Sequence, residues 1–165
     1  PLALRGAWGL LRRGSFRLPA PRPRQHYLPF GGKLALTGYQ APSTWQSGET
    51  ARVALRFLGL RPIVLDHVVS VRVDGTDRVP GPSDSVPALG AIPTYKWIRG
   101  SRVDDIHLIP VLPAPGGRGV AGRGQLVVGL YDAFTGQALM PLDERIARLG
   151  LAGVPLQAVL IAEPR

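Results

Sequence analysis

Cysteine is absent from the 165 residues of the chain, and methionine occurs only once. Without cysteine, neither a disulfide framework nor a thiolate zinc site can form. No run reaches the roughly 18 to 20 consecutive apolar residues that a membrane-spanning helix requires, so the sequence itself predicts no such helix. The three histidines, His26, His67 and His107, are widely separated in sequence. None has a second ligand at helical or hairpin spacing, so we predict no metal site and no cofactor.

Acidic residues are absent up to Lys33, whereas the remainder of the chain has 13 basic and 11 acidic residues. This asymmetry predicts a basic, Pro/Arg-rich linker or juxtamembrane leader at residues 1–29 and a folded domain at residues 30–165. A nucleic-acid-binding domain normally carries its cations on a folded face, together with aromatic residues. Here the cations lie in a leader interrupted by prolines, which argues against a nucleic-acid partner. They favour contact with anionic lipid headgroups through Arg5, Arg12, Arg13, Arg17, Arg22 and Arg24.

Signals of hydrolytic catalysis are missing as well. The chain has no G-x-S-x-G motif, and no Ser or Thr has a recognisable base partner in the sequence. Asp104 and Asp105 are adjacent and would point to opposite faces of a strand, so they are not a catalytic pair. We therefore predict no catalytic residue. A stand-alone hydrolase stays an alternative, because glycosidase carboxylates are paired in space and not in sequence.

Short apolar stretches separated by glycine and proline are what the chain does contain. In "ARVALRFL", apolar residues at 51, 53, 55 and 57 alternate with Arg52 and Arg56, which is typical of a half-buried strand. With "LALTGY", "HVVSVRV", "RVDDIHLI", "QLVVGLYD", "QALM" and "VPLQAVLIAE" we count about seven strands. One short helix is expected at most, near residues 143–149. The pattern predicts an all-β fold, an antiparallel β-sandwich that is Ig-like or jelly-roll-like.

The stretch "GRGVAG", residues 117–122, fits the G-x-G-x-x-G fingerprint of dinucleotide-binding proteins. That fingerprint requires a strand before it and a helix after it, whose free N–H groups bind the pyrophosphate. Here a β-rich run follows, so we predict a loop that ends near Gly124, then a buried strand. In the hairpin loop "DAFTG" that comes next, Asp132 is expected to accept turn N–H bonds and Gly136 to adopt a positive φ.

Three aromatic residues, Trp45, Tyr95 and Trp97, are candidates for a carbohydrate-binding platform, since sugar rings stack on indole and phenol rings. A carbohydrate-binding module would require Tyr95 and Trp97 to be exposed together. The alternative is that each ring fills the core or covers an edge of the sandwich.

Two motifs, "PTYKWIRG" and "GLYDAFTG", carry a resemblance to a known family. In order and spacing, residues 30 to 162 resemble the C-terminal β-sandwich domain of bacterial membrane glycosyltransferases of the dolichyl-phosphate-mannose type (PMT/ArnT-like). The matching residues are Pro93, Thr94, Trp97, Gly100, Tyr131, Asp132, Thr135 and Gly136. The chain departs from the family pattern at Ser70 and Arg72, where aromatic and His residues are usual.

The resemblance implies a non-catalytic accessory module on the extracytoplasmic face of the membrane. It would be attached through an upstream membrane region that is not in this chain, and it would scaffold the enzyme or position an acceptor or glycan. The implied partners are therefore the membrane part of the same protein and a glycan.

Overall fold

The computed structural model describes residues 24–113, 122–144, 146 and 152–163. Among these residues the chain forms nine strands and a 3₁₀ turn at Thr94–Lys96. The strands are β1 (Arg24–Phe30), β2 (Leu34–Gln40), β3 (Thr44–Gln46), β4 (Thr50–Gly59), β5 (His67–Asp74), β6 (Ser83–Ser85), β7 (Arg102–Pro110), β8 (Gly122–Asp132) and β9 (Gly153–Ala162).

Two sheets pack face to face around one apolar core. The first has the strand order β1-β2-β4-β7, and the second has the order β3-β9-β8-β5-β6. Every pair is antiparallel except β3 and β9, which are parallel. In one sheet β6, β5, β8 and β9 are successive neighbours, and the opposite sheet contains β2, β4 and β7 in that order. This is the strand order of an Ig-like sandwich. The predicted all-β sandwich is confirmed.

Alternation of side chains explains the packing. Strands β4 and β7 each have every second residue buried, so one face of their sheet is apolar and the other faces solvent. Strand β8 shows no such alternation, because Leu126 to Leu130 are all buried, and β2 and β5 also have three consecutive buried residues each. The core contains residues of both sheets, among them Phe57, Val71, Leu126, Leu130 and Ile161. Burial of this apolar surface is the main force that holds the two sheets together.

Six of the expected strands are present, and three shorter or less regular strands were not predicted. The "QALM" stretch forms only an isolated bridge between Ala138 and Tyr131. Strand β1 begins at Arg24 and pairs with β2, so the sheet starts inside the predicted leader. Residues 1–23 lie outside the described residues, and so do most of the predicted helix at 143–149. At the start of that helix, Asp143 Oδ1 accepts a hydrogen bond from Ile146 N at 3.3 Å.

Four loops meet at one end of the sandwich, which we call the upper end. They are residues 31–33, 60–66, 86–101 and the connection that follows Asp132. The register places them together, because Leu34 pairs with Gly59, Leu58 with Arg102, and His67 with Asp132. In the described ranges, no helix is long and apolar enough to cross a membrane.

Candidate functional site

Thr94 links the β6–β7 loop to the start of β5. Its side chain is fully buried, and its Oγ1 accepts a hydrogen bond from His67 N at 2.8 Å. The same hydroxyl lies 3.1 Å from Leu65 O and 3.1 Å from Asp66 Oδ1, to which it can donate. Asp66 Oδ1 also accepts from Thr94 N at 2.9 Å. These bonds connect the β6–β7 loop to Leu65, Asp66 and His67, and they give Thr94 a structural role.

His67 is buried beside this threonine. Its Nδ1 lies 3.0 Å from Leu65 O, and its Nε2 lies 3.4 Å from Lys33 Nζ. Lys33 can only donate, so Nε2 accepts and Nδ1 carries the proton that is donated to Leu65 O. Burial, and then the neighbouring Lys33 charge, lower the pKa of His67 below 6.5. The imidazole is therefore neutral at physiological pH.

Trp97 and Gly100 complete the first motif. Trp97 is 2% exposed, its Nε1 donates to Ile92 O at 3.0 Å, and its ring centroid lies 6.1 Å from that of Phe57. Gly100 has φ +90°, a conformation that L side chains rarely adopt. Pro93 O accepts from Lys96 N at 3.0 Å and so closes the 3₁₀ turn. These residues fix the path of the loop.

The second motif forms the predicted hairpin loop. Asp132 Oδ1 accepts from Phe134 N at 2.9 Å and from Thr135 N at 2.8 Å, and these bonds lower the pKa of the carboxyl. Gly136 has φ +68°, as expected. The hydroxyl of Thr135 lies 3.3 Å from Gln137 N, and Tyr131 donates its hydroxyl to Asp84 Oδ2 at 2.9 Å. No helix starts near Gly122, where β8 begins instead.

The three predicted sugar-stacking residues do not form a platform. Trp45 is 1% exposed and its Nε1 donates to Pro42 O at 2.9 Å, whereas Tyr95 is 52% exposed. Trp97 is buried against Phe57, so Tyr95 has no exposed indole beside it. The prediction of a joint platform is wrong because both indoles lie in the apolar core, the alternative stated above.

A groove with polar side chains lies on the outer face of the four-stranded sheet, and we call it the outer groove. Its volume is about 530 Å³. It is lined by His26, Tyr27, Thr37, Gly38, Arg56, Leu58 and Arg102. The pairing register shifts between Gln25 and Leu28 in β1 and between Leu36 and Gly38 in β2. Such bulges bend a sheet and redirect its side chains, and they occur often beside functional sites.

Several kinds of ligand contact are available in the outer groove. Tyr27 presents a phenol ring, and His26 is stacked on Tyr39 with ring centroids 5.2 Å apart. Arg56 Nε donates to Asp104 Oδ1 at 2.9 Å. Arg102 is exposed. Guanidinium groups bind carboxylates and phosphates through paired N–H donors, and a phenol ring offers both a stacking face and a hydroxyl.

A second polar cluster lies inside the sandwich, between the edge strands β6 and β7. His107 Nε2 is 3.0 Å from Asp105 Oδ2, and Ser83 Oγ is 3.1 Å from His107 Nδ1. Asp105 and His107 are buried, and Ser83 is half-buried. Asp105 Oδ1 also accepts from Ala88 N at 2.9 Å. The order Ser–His–Asp is that of a hydrolytic triad, but the roles of the two ring nitrogens are exchanged relative to the serine-protease arrangement, and the Ala88 bond gives the carboxylate a structural role as well.

Sequence reasoning missed both clusters. His26 and Tyr27 were predicted to lie in the leader, although the Tyr, Leu and Phe residues of β1 favour a strand. Asp105 was interpreted together with Asp104, whereas its partners are His107 on the same strand and Ala88 N in the β6–β7 loop, and Ser83 reaches the cluster through His107. Within the part of the chain that the structure describes, no three His, Asp or Glu residues form a group that could hold a metal ion.

No family model matches this chain, and a comparison with curated proteins found no match either.

Proposed function

We propose that the chain is a non-catalytic accessory β-sandwich module that positions a glycan for a membrane glycosyltransferase-like protein. The single observation that carries the glycan-binding part is the outer groove, in which two bulges bring Tyr27, Thr37 and Arg102 to one concave surface. The role beside a glycosyltransferase, and a location on the extracytoplasmic face, rest on the resemblance of the two motifs. At this location the proposed partners are anionic lipid headgroups and the membrane part of the same protein.

A glycan that carries carboxylate groups is the ligand class that fits the outer groove best. The tyrosine ring can stack on a pyranose face, while the guanidinium of Arg102 can bind a carboxylate with two parallel N–H bonds. Arg56 is already paired with Asp104 on an exposed surface, so Arg102 is the better candidate for the ligand.

Binding of trigalacturonate to the full chain, measured by titration calorimetry, tests this proposal. We expect Arg102→Gln to weaken binding about tenfold, since a hydrogen bond to a charged group contributes roughly 1.5–3 kcal/mol. Arg52→Gln is the matched control, because Arg52 is exposed on the same sheet face outside the groove. Absence of binding, or equal loss in both variants, would reject the glycan site.

The proposed parent protein is tested at the level of the gene. The reading frame upstream of Pro1 is expected to encode several membrane-spanning segments. A reading frame without membrane-spanning segments would contradict the membrane glycosyltransferase part of the proposal. It would not affect the separate prediction that the outer groove binds a glycan.

Serine-dependent hydrolysis is the second candidate function, and the Ser83–His107–Asp105 chain of hydrogen bonds supports it. In this role His107 Nδ1 takes the proton of Ser83 Oγ, while Asp105 orients the imidazole through Nε2. A fluorophosphonate probe followed by peptide mass spectrometry is the test. Labelling of Ser83 that Ser83→Ala abolishes and Ser101→Ala preserves would support hydrolysis, and an unlabelled Ser83 would refute it.

A further inference from the structure

Exposed apolar side chains concentrate at the upper end of the sandwich. Among the described residues, nine of the fourteen exposed large apolar or aromatic residues lie in its loops. The most exposed are Val64 at 87%, Phe134 at 84% and Leu89 at 81%. The others are Leu65, Ile92, Tyr95, Ile98, Met140 and Leu142. A concentration of this kind marks a surface that is covered by a membrane or by another molecule.

Hydrogen bonds hold three of these loops in fixed relation to one another. Ile63 N donates to Trp97 O at 3.3 Å, which joins the β4–β5 loop to the β6–β7 loop. Ala133 N donates to Asp66 O at 3.0 Å, which joins the hairpin loop to the β4–β5 loop. The Thr94 contacts described above add to this framework. Val64, Ile98 and Phe134 are therefore presented on loops that are already ordered, so little conformational entropy is lost when they are covered.

The charges around these side chains are mainly positive. Arg61, Lys96 and Arg99 are exposed on the β4–β5 and β6–β7 loops, and Arg61 Nη2 donates to Gly31 O at 3.1 Å. The one carboxylate on those loops, Asp66, accepts hydrogen bonds from His67 N and Thr94 and is turned inward. Farther along the chain, Asp143 accepts from Ile146 N, and Glu144 also has a partner. Lys96 and Arg99 thus give the apolar tips of the β6–β7 loop a positive rim, and Glu144 is the exposed carboxylate on the connection that follows Asp132.

We propose that the upper end docks on an anionic lipid bilayer, with Val64, Ile98 and Phe134 inserted into the headgroup region. Lipid is the occupant that these observations favour, because apolar tips on separate loops suit a fluid interface and the positive rim complements anionic headgroups. Each Lys or Arg near such a surface contributes about fivefold to partitioning, and Tyr95 is of a type enriched at bilayer interfaces. This docking surface is distinct from the outer groove and needs no glycan.

Single-cysteine labelling gives a direct test, because the chain has no native cysteine. Phe134→Cys in the full chain is labelled with an environment-sensitive nitrobenzoxadiazole group and mixed with phosphatidylcholine vesicles, with or without phosphatidylglycerol. Leu108→Cys is the control, since Leu108 is 62% exposed on the outer face of the four-stranded sheet. We expect the emission to rise and shift to shorter wavelength only at position 134 and only with phosphatidylglycerol.

Vesicle co-sedimentation provides the second measurement and separates the upper end from the basic leader. Val64→Ser with Ile98→Ser is expected to weaken partitioning about tenfold, since each change removes buried methyl and methylene groups. Ile106→Ser with Leu108→Ser, on the sheet face, should leave partitioning unchanged; circular dichroism checks that both variants fold. Equal partitioning of the two variants, an unchanged label, or self-association of the free chain that buries position 134 would overturn the proposal.

Discussion

Among single residues, Thr94 combines complete burial with polar contacts to Leu65, Asp66 and His67. Thr94→Val keeps the side-chain volume but removes the hydroxyl that His67 N and Leu65 O contact. We expect the free energy of unfolding to fall by about 1–3 kcal/mol, because buried polar partners are left less satisfied. Urea unfolding followed by circular dichroism measures this change. The control is Thr37→Val, whose exposed hydroxyl donates to Arg56 O, and equal effects would contradict the structural role of Thr94.

The buried His67 predicts how stability depends on pH. Its pKa is lowered in the folded chain, so below about pH 6.5 the unfolded chain binds a proton that the folded chain does not. The contribution of His67 is therefore fully present above pH 6.5 and is lost as the pH falls toward the lowered pKa.

We expect the loss of stability between about pH 7.5 and pH 5.5 to be smaller in His67→Gln than in the native chain. Thr44→Gln, at an exposed position of β3, adds and removes no titrating group, so it is the control and should preserve the native pH dependence. Urea midpoints of the three proteins at the two pH values provide the measurement. An unchanged pH dependence in His67→Gln would mean that this imidazole is not the titrating group.

At the level of the strand, β8 contains Gly122, the last residue of the apparent nucleotide-binding fingerprint, and Gly124 just after it, while the rest of the fingerprint lies outside the described residues. A Cβ at Gly124 would lie 2.4 Å from Val73 Cγ1 and 3.1 Å from Asp74 O, whereas a Cβ at Gly122 would meet nothing closer than 3.6 Å. We expect Gly124→Ala to lower the free energy of unfolding by about 1–3 kcal/mol through overpacking. Gly122→Ala should change it by less than about 0.5 kcal/mol. Similar losses in both variants, measured by urea unfolding, would exclude close packing as the reason for Gly124.

Strands with clear periodicity could be predicted, and those without it could not. Alternation in β4 indicated which of its faces is buried, and local turn chemistry was sufficient for Asp132 and Gly136. Strands β3 and β6 have three residues each, too few to show a period, and β1 begins at the end of the Pro/Arg run and contains Pro29. A short edge strand is defined mainly by backbone pairing, which leaves little trace in side-chain pattern.

The candidate sites could not be predicted, because their residues meet only in three dimensions. The outer groove depends on two bulges, and a register shift has no reliable sequence signal. Ser83 pairs with Val71 in register and therefore faces the interior, where His107 reaches it from the other sheet. From the sequence, Trp45 and Trp97 were candidates for sugar binding, because the sequence does not distinguish an indole in the core from an exposed one.

At the scale of the whole molecule, the two sheets share one core, and this predicts that they unfold together. Trp45 lies on β3 in the five-stranded sheet, whereas Trp97 packs at the upper end against Phe57 of the four-stranded sheet. Both indoles belong to the same buried cluster, so loss of either sheet would expose apolar surface of the other. Single domains of this size usually unfold in one cooperative transition.

Two single-tryptophan variants test this cooperativity, each with the leader residue Trp8 changed to Phe. Trp8→Phe with Trp97→Phe reports on Trp45, and Trp8→Phe with Trp45→Phe reports on Trp97. In each variant we expect the urea midpoint from fluorescence to coincide with that from circular dichroism, because neither sheet can keep its buried face covered alone. The comparison is made within one variant, so the stability cost of each Trp→Phe change cancels. If the fluorescence of one indole changed at lower urea than the circular dichroism, the sheet that carries it would unfold separately, and the shared core would not couple them.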